Sequence, residues 1–272
     1  MSEDWKNEQL IHEVSDDNGK KMWFRLTPAT NNPELAPTFL VLHGHGSTSR
    51  PTQFALPDWN VIAPIDDFGL KNYGSWWLGE HGNQDTSNLL KLVVEKSKNL
   101  LNVNEDFILC IYGSSMGGYG AIINAQQLNA KAIYANVPQI KLINSTYSDK
   151  GMRLYFEYVL GENYDEKYND LNKYIKGINS KHPLYFICEN RFGQEKYLEE
   201  QAKTFIDTLH DLNINYHFEI VNSWRGYEQG AENTYDSSGQ VINSVSFTPT
   251  YNLYNSQITH YNTPYEIIED IE

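Results

Sequence analysis

Cysteine is scarce in this chain, with two among 272 residues, Cys110 and Cys188. Each falls in or at the end of an apolar run. They read as buried thiols of a reducing compartment, which argues against a disulfide-stapled secreted scaffold. The opening residues Met1 to Lys6 are polar and acidic and carry no leader pattern, so the expected compartment is the cytoplasm. No apolar run reaches the roughly 18–20 residues that span a bilayer, and no integral membrane segment is expected. Cations are also in short supply. Lys and Arg total 21 against 35 Asp and Glu, a formal net charge of −14. Nucleic acid and anionic membranes need clustered Lys and Arg, so neither is an expected partner. There is no Gly-Lys-Ser/Thr phosphate loop and no His/Cys spacing suited to zinc, so neither a metal nor a bound cofactor is expected. No Pro/Gly/Ser linker, composition shift or internal repeat divides the chain, which reads as a single domain over 1–272.

Aromatic residues are plentiful, with 19 Tyr and 6 Trp. Two explanations stand side by side: compositional bias, or an aromatic-lined site that stacks on sugar rings.

Apolar runs and helical spacings alternate along the chain. Residues 22–27 read as an early antiparallel strand. Strands follow at 38–42, 60–64, 107–112, 132–135, 183–188 and 215–221. Helical spacing marks 84–101, 116–128 and 194–212. Residues 150–176, polar and Tyr-rich, read as short helices forming a cap. Residues 222–259 form a long polar and aromatic excursion, and 264–271 a short terminal helix. This alternation predicts an α/β class protein: a mostly parallel, doubly wound sheet with helices on both faces. Ligands of such sheets bind beyond the carboxyl ends of the strands.

The richest motif is Gly113-Ser114-Ser115-Met116-Gly117, placed between an apolar strand and a small-residue helix. Gly-x-Ser-x-Gly in that setting is a nucleophile elbow. A sharp turn lifts the serine hydroxyl off the sheet, and the glycines avoid collisions with neighbouring backbone. Ser115 is therefore the candidate nucleophile. Such chemistry also needs a base, a group that orients it, and donors for the oxyanion. Met116 N–H supplies one donor. The loop His43-Gly44-His45-Gly46 follows an earlier strand and supplies the second, from His45 or Gly46. The expected chain order is Ser, acid, His. His260 is the one late histidine that follows every strand, and it is assigned as base. Glu189, at the strand end after Cys188, is the candidate acid, with Asp236 as fallback; a dyad is a further reading.

Trp76 and Trp77 follow the 60–64 strand and either wall a substrate pocket or belong to the core. Tyr119 and Gln139 fall on the same edge and are candidate substrate contacts. His43 is another, or it braces its loop. Asp66 and Asp67 lie nearby.

Leu42-His43-Gly44-His45-Gly46, the elbow Tyr112 to Ala121, and Asn136-Val137-Pro138-Gln139-Ile140-Lys141-Leu142 together resemble α/β-hydrolase-fold proteins of bacterial capsule and surface-glycan loci. That group includes capsule O-acetyltransferases of the meningococcal serogroup A type and, more distantly, the acetyltransferase component of the accessory Sec system. The resemblance runs from about residue 38 onward and rests on these three motifs. It implies a Ser-Asp/Glu-His site that moves an acetyl group from acetyl-CoA to a hydroxyl of a polysaccharide or oligosaccharide acceptor. By position it maps onto Ser115 and His260. Members offer an Asp near position 189, where this chain has Glu189-Asn190-Arg191. Two other readings accompany it: an esterase, in which water replaces the sugar, and a non-catalytic glycan-assembly subunit with the same fold.

Overall fold

The computed structural model describes residues 4–103, 107–178, 181–189 and 196–220, together with the backbone of two short strands at 234–235 and 241–243. Eight strands make one sheet: β1 (Ile11–Ser15), β2 (Lys21–Thr27), β3 (Thr38–Leu42), β4 (Asn60–Pro64), β5 (Leu109–Ser114), β6 (Ala132–Asn136), β7 (Leu184–Glu189) and β8 (Tyr216–Ile220). Their order across the sheet is β1-β2-β4-β3-β5-β6-β7-β8. β2 pairs antiparallel with both β1 and β4, and from β4 to β8 every pairing is parallel. The doubly wound, mostly parallel sheet expected from the alternation is present.

β3, β4, β5 and β6 are buried at every residue. Strands covered on both faces have no reason to alternate, and these are apolar throughout except at one end, where Thr38, Asn60, Ser114 and Asn136 sit. β1 has no such run. Its Ile11-His12-Glu13-Val14-Ser15 carries two apolar residues and owes its strand state to pairing with β2.

One face of the sheet presents Leu40, Leu42, Ile62, Ile111, Ile133, Ala135, Tyr185 and Ile187 to the main core. Onto it pack α1 (Asp85–Leu101), α2 (Met116–Asn124), α5 (Leu171–Lys176) and α6 (Thr204–Asp211), which bring Leu89, Val93, Ile122, Ile175, Phe205 and Leu209. The opposite face holds a smaller cluster of Phe39, Val41, Trp59, Cys110, Tyr112, Tyr134 and Phe186. The helices named above pack on the first of these faces. The crossover from β3 to β4 lays Phe54 and Leu56 on the second cluster.

The 150–176 region forms α3 (Arg153–Leu160), α4 (Glu166–Asn169) and α5. Asp165 and Asp170 cap the last two by accepting from the Lys167 and Asn172 amides. Two tyrosines tie this layer to the sheet side. Tyr119 of α2 donates to the Tyr168 carbonyl at 2.7 Å, and Tyr174 donates to the Ile123 carbonyl at 2.6 Å. In the long segment after β8, Thr234–Tyr235 pairs antiparallel with Val241–Asn243. The rest of 222–259 and the 264–271 helix lie outside the described residues.

Candidate active site

Strand register brings the key positions to one edge. Ser114, Asn136 and Cys188 lie side by side across β5, β6 and β7. Ser115 is the next residue beyond β5, and Glu189 is the last residue of β7. Ser115 adopts φ 56°, ψ −113° between β5 and α2. That is a strained conformation for a residue with a Cβ, of the kind over-determined by its surroundings at functional sites. The surroundings are visible. Ser115 N–H donates to the Asn136 carbonyl at 2.9 Å, and its own carbonyl receives the Tyr119 amide at 3.1 Å. A Cβ on Gly113 would run into the Gly117 carbonyl, and one on Gly117 into the Leu42 carbonyl. Both elbow glycines are therefore required by close backbone approach.

Beside the elbow, Gln139 Nε2 donates to Ser115 Oγ at 2.9 Å. Its Oε1 accepts from Trp76 Nε1 at 2.6 Å, and both side chains are fully buried. An indole N–H can only donate, so the amide oxygen must face Trp76 and the amide NH₂ must face Ser115. The segment bearing Gln139 is held on all sides. Val137 has φ 43°, a rare state for a β-branched residue. Its N–H donates to the Cys188 carbonyl at 2.7 Å. The Tyr197 hydroxyl lies 3.1 and 3.2 Å from the Val137 and Pro138 carbonyls. Gln201 accepts from the Ile140 and Lys141 amides at 2.6 and 2.7 Å and donates back to the Lys141 carbonyl at 3.0 Å.

The 43–46 loop is braced through His43. Its Nε2 accepts the Asp66 amide at 2.8 Å, so Nδ1 carries the proton and donates to the Gly44 carbonyl at 2.8 Å. Burial drops its pKa to about 4, and the acceptor role at Nε2 requires the neutral ring. The Asp66 carboxylate, fully buried, accepts from Ser75 N–H, Ser75 Oγ–H and Trp77 N–H at 2.8, 2.9 and 2.9 Å. Burial still pushes its pKa up against those donors. These bonds fix Trp76 and Trp77 in consecutive left-handed conformations, φ 57° each. Gly46 N–H donates to the Tyr73 carbonyl at 2.8 Å. The His45 and Met116 amides have no acceptor among the described residues. Of the two loop residues offered as the second oxyanion donor, His45 has its N–H available and Gly46 has spent its own. The His45 ring is packed among Tyr73, Trp76 and Tyr155, with centroids at 5.7, 5.2 and 4.6 Å. Burial first, and His43 second, lower its pKa.

No family model and no curated protein matches the chain by sequence. Solved structures do match by shape. The capsule O-acetyltransferase of Neisseria meningitidis serogroup A superposes with a TM-score of 0.57 at 18% identity, covering 80% of this chain and 88% of that one. An S-formylglutathione hydrolase from Agrobacterium tumefaciens gives 0.53 at 14% identity, over 91% and 94%. An acylaminoacyl peptidase from Pyrococcus horikoshii gives 0.59 at 17% identity, over 80% of this chain and 38% of that larger one.

The chain has the α/β-hydrolase fold.

In this α/β-hydrolase fold the residues singled out from sequence divide into three groups. Ser115, Met116, His45, Gln139 and Glu189 stand at the carboxyl edge of β3, β5, β6 and β7. Glu189 is 1% exposed and shares the sheet face of Tyr185 and Ile187, the face that α2 covers. A second group proves to be framework. Trp76 and Trp77, read as pocket wall or core, His43, read as a substrate contact or a brace for its loop, and Tyr119, read as a substrate contact, are buried with their polar atoms bonded inside the chain. Trp77 donates to the His43 carbonyl at 3.2 Å and abuts Gly120, so it locks α2 and the 43–46 loop together. The third group, His260 and the fallback Asp236, lies outside the described residues.

Sequence reasoning missed Tyr73 and Tyr155. Their rings stack at 6.3 Å and 15° beside His45, with Tyr73 43% exposed. It also missed Gln201 and Tyr197, which act across 60 residues on the segment bearing Gln139. No local pattern announces such partners. The Val-Pro step after β6 was the available hint, since proline disfavours ordinary helical backbone before it. Among the described residues no group of three or more His, Cys, Asp or Glu is arranged to hold a metal, and no helix is long and apolar enough to cross a membrane.

Proposed function

We propose that this protein is a serine-nucleophile acyl-transfer enzyme, and that its reaction is O-acetyl transfer from acetyl-CoA to a hydroxyl of a bacterial capsular or cell-surface polysaccharide or its precursor in the cytoplasm. The observation that carries the chemistry is Ser115 at φ 56°, ψ −113° on the carboxyl edge, with the Met116 and His45 amides open beside it. Strain of this kind persists where the surroundings enforce it, and two N–H donors with no acceptor among the described residues, beside a nucleophile, suit a developing oxyanion. The choice of a transferase is supported by the match to the meningococcal capsule O-acetyltransferase over most of both chains, and that enzyme is also known in complex with CoA.

On this reading His260 removes the Ser115 proton, and Oγ attacks the thioester carbonyl. The tetrahedral oxyanion rests on the Met116 and His45 amides. It collapses with release of CoA thiolate, which takes the proton from His260. The acceptor hydroxyl then gives its proton to His260 and attacks the acetyl-serine, and Ser115 leaves and regains the proton. Glu189 orients and charge-stabilises the imidazole. Tyr73 and Tyr155 offer ring faces to a sugar at the mouth of the site.

A fluorophosphonate probe should label the wild type and fail to label Ser115→Ala; an unlabelled wild type would overturn the serine-enzyme reading. Release of CoA thiol should rise when acceptor oligosaccharide is added. The esterase reading has its own support, since the S-formylglutathione hydrolase superposes over 91% of this chain. Thiol release at the same rate with and without glycan would favour it.

A further inference from the structure

We infer that Gln139 is a positioning residue for the nucleophile: Trp76 holds its amide in one orientation so that its NH₂ donates to Ser115 Oγ and stabilises the charge that Oγ carries when it attacks and when it leaves. The inference rests on the proposed serine chemistry and adds a residue to it. The chain Trp76 Nε1–H to Gln139 Oε1, then Gln139 Nε2–H to Ser115 Oγ, has links of 2.6 and 2.9 Å. Its polarity cannot reverse, because indole has no acceptor. A flipped amide would set its NH₂ against the indole N–H in a buried site and leave both donors unsatisfied. The Gln139 backbone is equally constrained, by left-handed Val137, by the Tyr197 hydroxyl and by Gln201.

The consequence follows from proton accounting. Ser115 Oγ has one hydrogen and two lone pairs. With one lone pair taken by Gln139, rotation about the Cα–Cβ bond is restricted; on the proposed chemistry the base takes the O–H proton and the electron pairs not held by Gln139 attack. As the proton leaves, Oγ gains negative charge and the bond from Gln139 strengthens, since a donor favours the charged form of its acceptor. Once the ester forms, Oγ is a poor acceptor and the bond weakens. It strengthens again when Oγ departs in the second half-reaction. Gln139 thus acts on both half-reactions without touching the acyl group.

The experiment measures phosphonylation of Ser115 by a fluorophosphonate probe, resolving its saturating rate from its initial affinity, across pH 5–9. A charge-assisted hydrogen bond predicts that Gln139→Leu lowers the saturating rate on the order of 10- to 100-fold and leaves the initial affinity within about twofold. Gln139→Glu is nearly isosteric and gives the distinguishing signature. Its neutral carboxyl can accept from Trp76 and donate to Ser115, whereas its ionised form can only accept. The variant should be close to wild type at the acid end and lose rate as pH rises through the new carboxyl's pKa, opposite to the wild-type rise as the base deprotonates. A merely structural glutamine would not create that falling limb. Circular dichroism melts of each variant confirm that the folded protein is being compared. The inference is overturned if folded Gln139→Leu labels within twofold of wild type, or if Gln139→Glu keeps the wild-type pH profile. A wild type that does not label at all overturns the serine chemistry itself, which is a separate and recognisable result.

Discussion

At the residue scale, the site is a set of side chains whose polar atoms are nearly all spoken for inside the chain. His43 satisfies two backbone groups, Asp66 three donors, and Trp76 and Gln139 each other. Among the described residues the His45 and Met116 amides have no acceptor, and Ser115 Oγ takes the Gln139 amide. Glu189 is the residue on which this scale makes its sharpest prediction. If it orients the base, Glu189→Gln keeps the size and burial of the side chain and removes the charge that stabilises the imidazolium. Turnover with acetyl-CoA and glycan should then fall on the order of 10³- to 10⁴-fold, with the melting temperature little changed. A fall under tenfold would remove Glu189 from the catalytic set and return attention to Asp236.

At the element scale, the Gly113–Gly117 turn is a packing device. α2 approaches β3 and β5 so closely that Gly117 lies on the Leu42 carbonyl and Gly113 on Gly117. Gly117→Ala should therefore cost several kcal/mol, about 2–4, because backbone and not a flexible side chain must move. Gly44 gives the contrast. A Cβ there meets the Ser114 carbonyl at 3.4 Å, an ordinary contact. Gly44→Ala should cost less than about 1 kcal/mol. Urea unfolding midpoints of the two variants test this, and equal costs would contradict the close approach at Gly117. The same scale explains how sequence and structure compare. β3 to β7 and the elbow were legible because strands buried on both faces must be continuously apolar and the turn must have glycines at fixed offsets. β1 was not legible, since its strand state comes from pairing with β2. The framework role of Trp76 and Trp77 was equally hidden. Adjacent tryptophans after a strand fit a pocket wall or a core, and the choice fell to Asp66, nine and eleven residues upstream, whose carboxylate takes the Ser75 and Trp77 amides.

At the scale of the whole molecule, burial of His43 couples the fold to pH. Its folded pKa, about 4, lies below the ordinary 6.5. The unfolded chain therefore binds the extra proton first as pH falls. The stability tied to neutral His43 is complete above about pH 6.5 and is lost progressively down to about pH 4. The full loss is on the order of 3 kcal/mol, and His45, lowered mainly by burial, acts in the same direction. Asp66 runs the opposite way, because its raised pKa returns some stability once the folded state protonates it. The net expectation is an unfolding midpoint that drops between pH 7 and pH 5, with activity dropping alongside because the loop that His43 braces carries the His45 amide. His43→Gln, which cannot titrate, should show a flatter profile over that range from a lower starting stability. An unchanged slope would show that other groups govern acid lability.

Sequence by itself determined the α/β class, the doubly wound sheet and the sharp strand–turn–helix at Gly113–Gly117. These depend on short-range facts: apolar runs of strand length, helical spacing, and glycines two residues either side of a serine. It also placed Glu189 and the 43–46 loop on the right edge, since chain order and strand ends fix that much. Tertiary structure alone decided what the side chains there do. It spent the Gly46 amide on Tyr73, turned His43 and two tryptophans into framework, and set Gln139 against a serine 24 residues earlier in the chain. The reason is that a hydrogen bond is satisfied by whichever group the fold brings within about 3 Å, and that proximity is created by packing between elements.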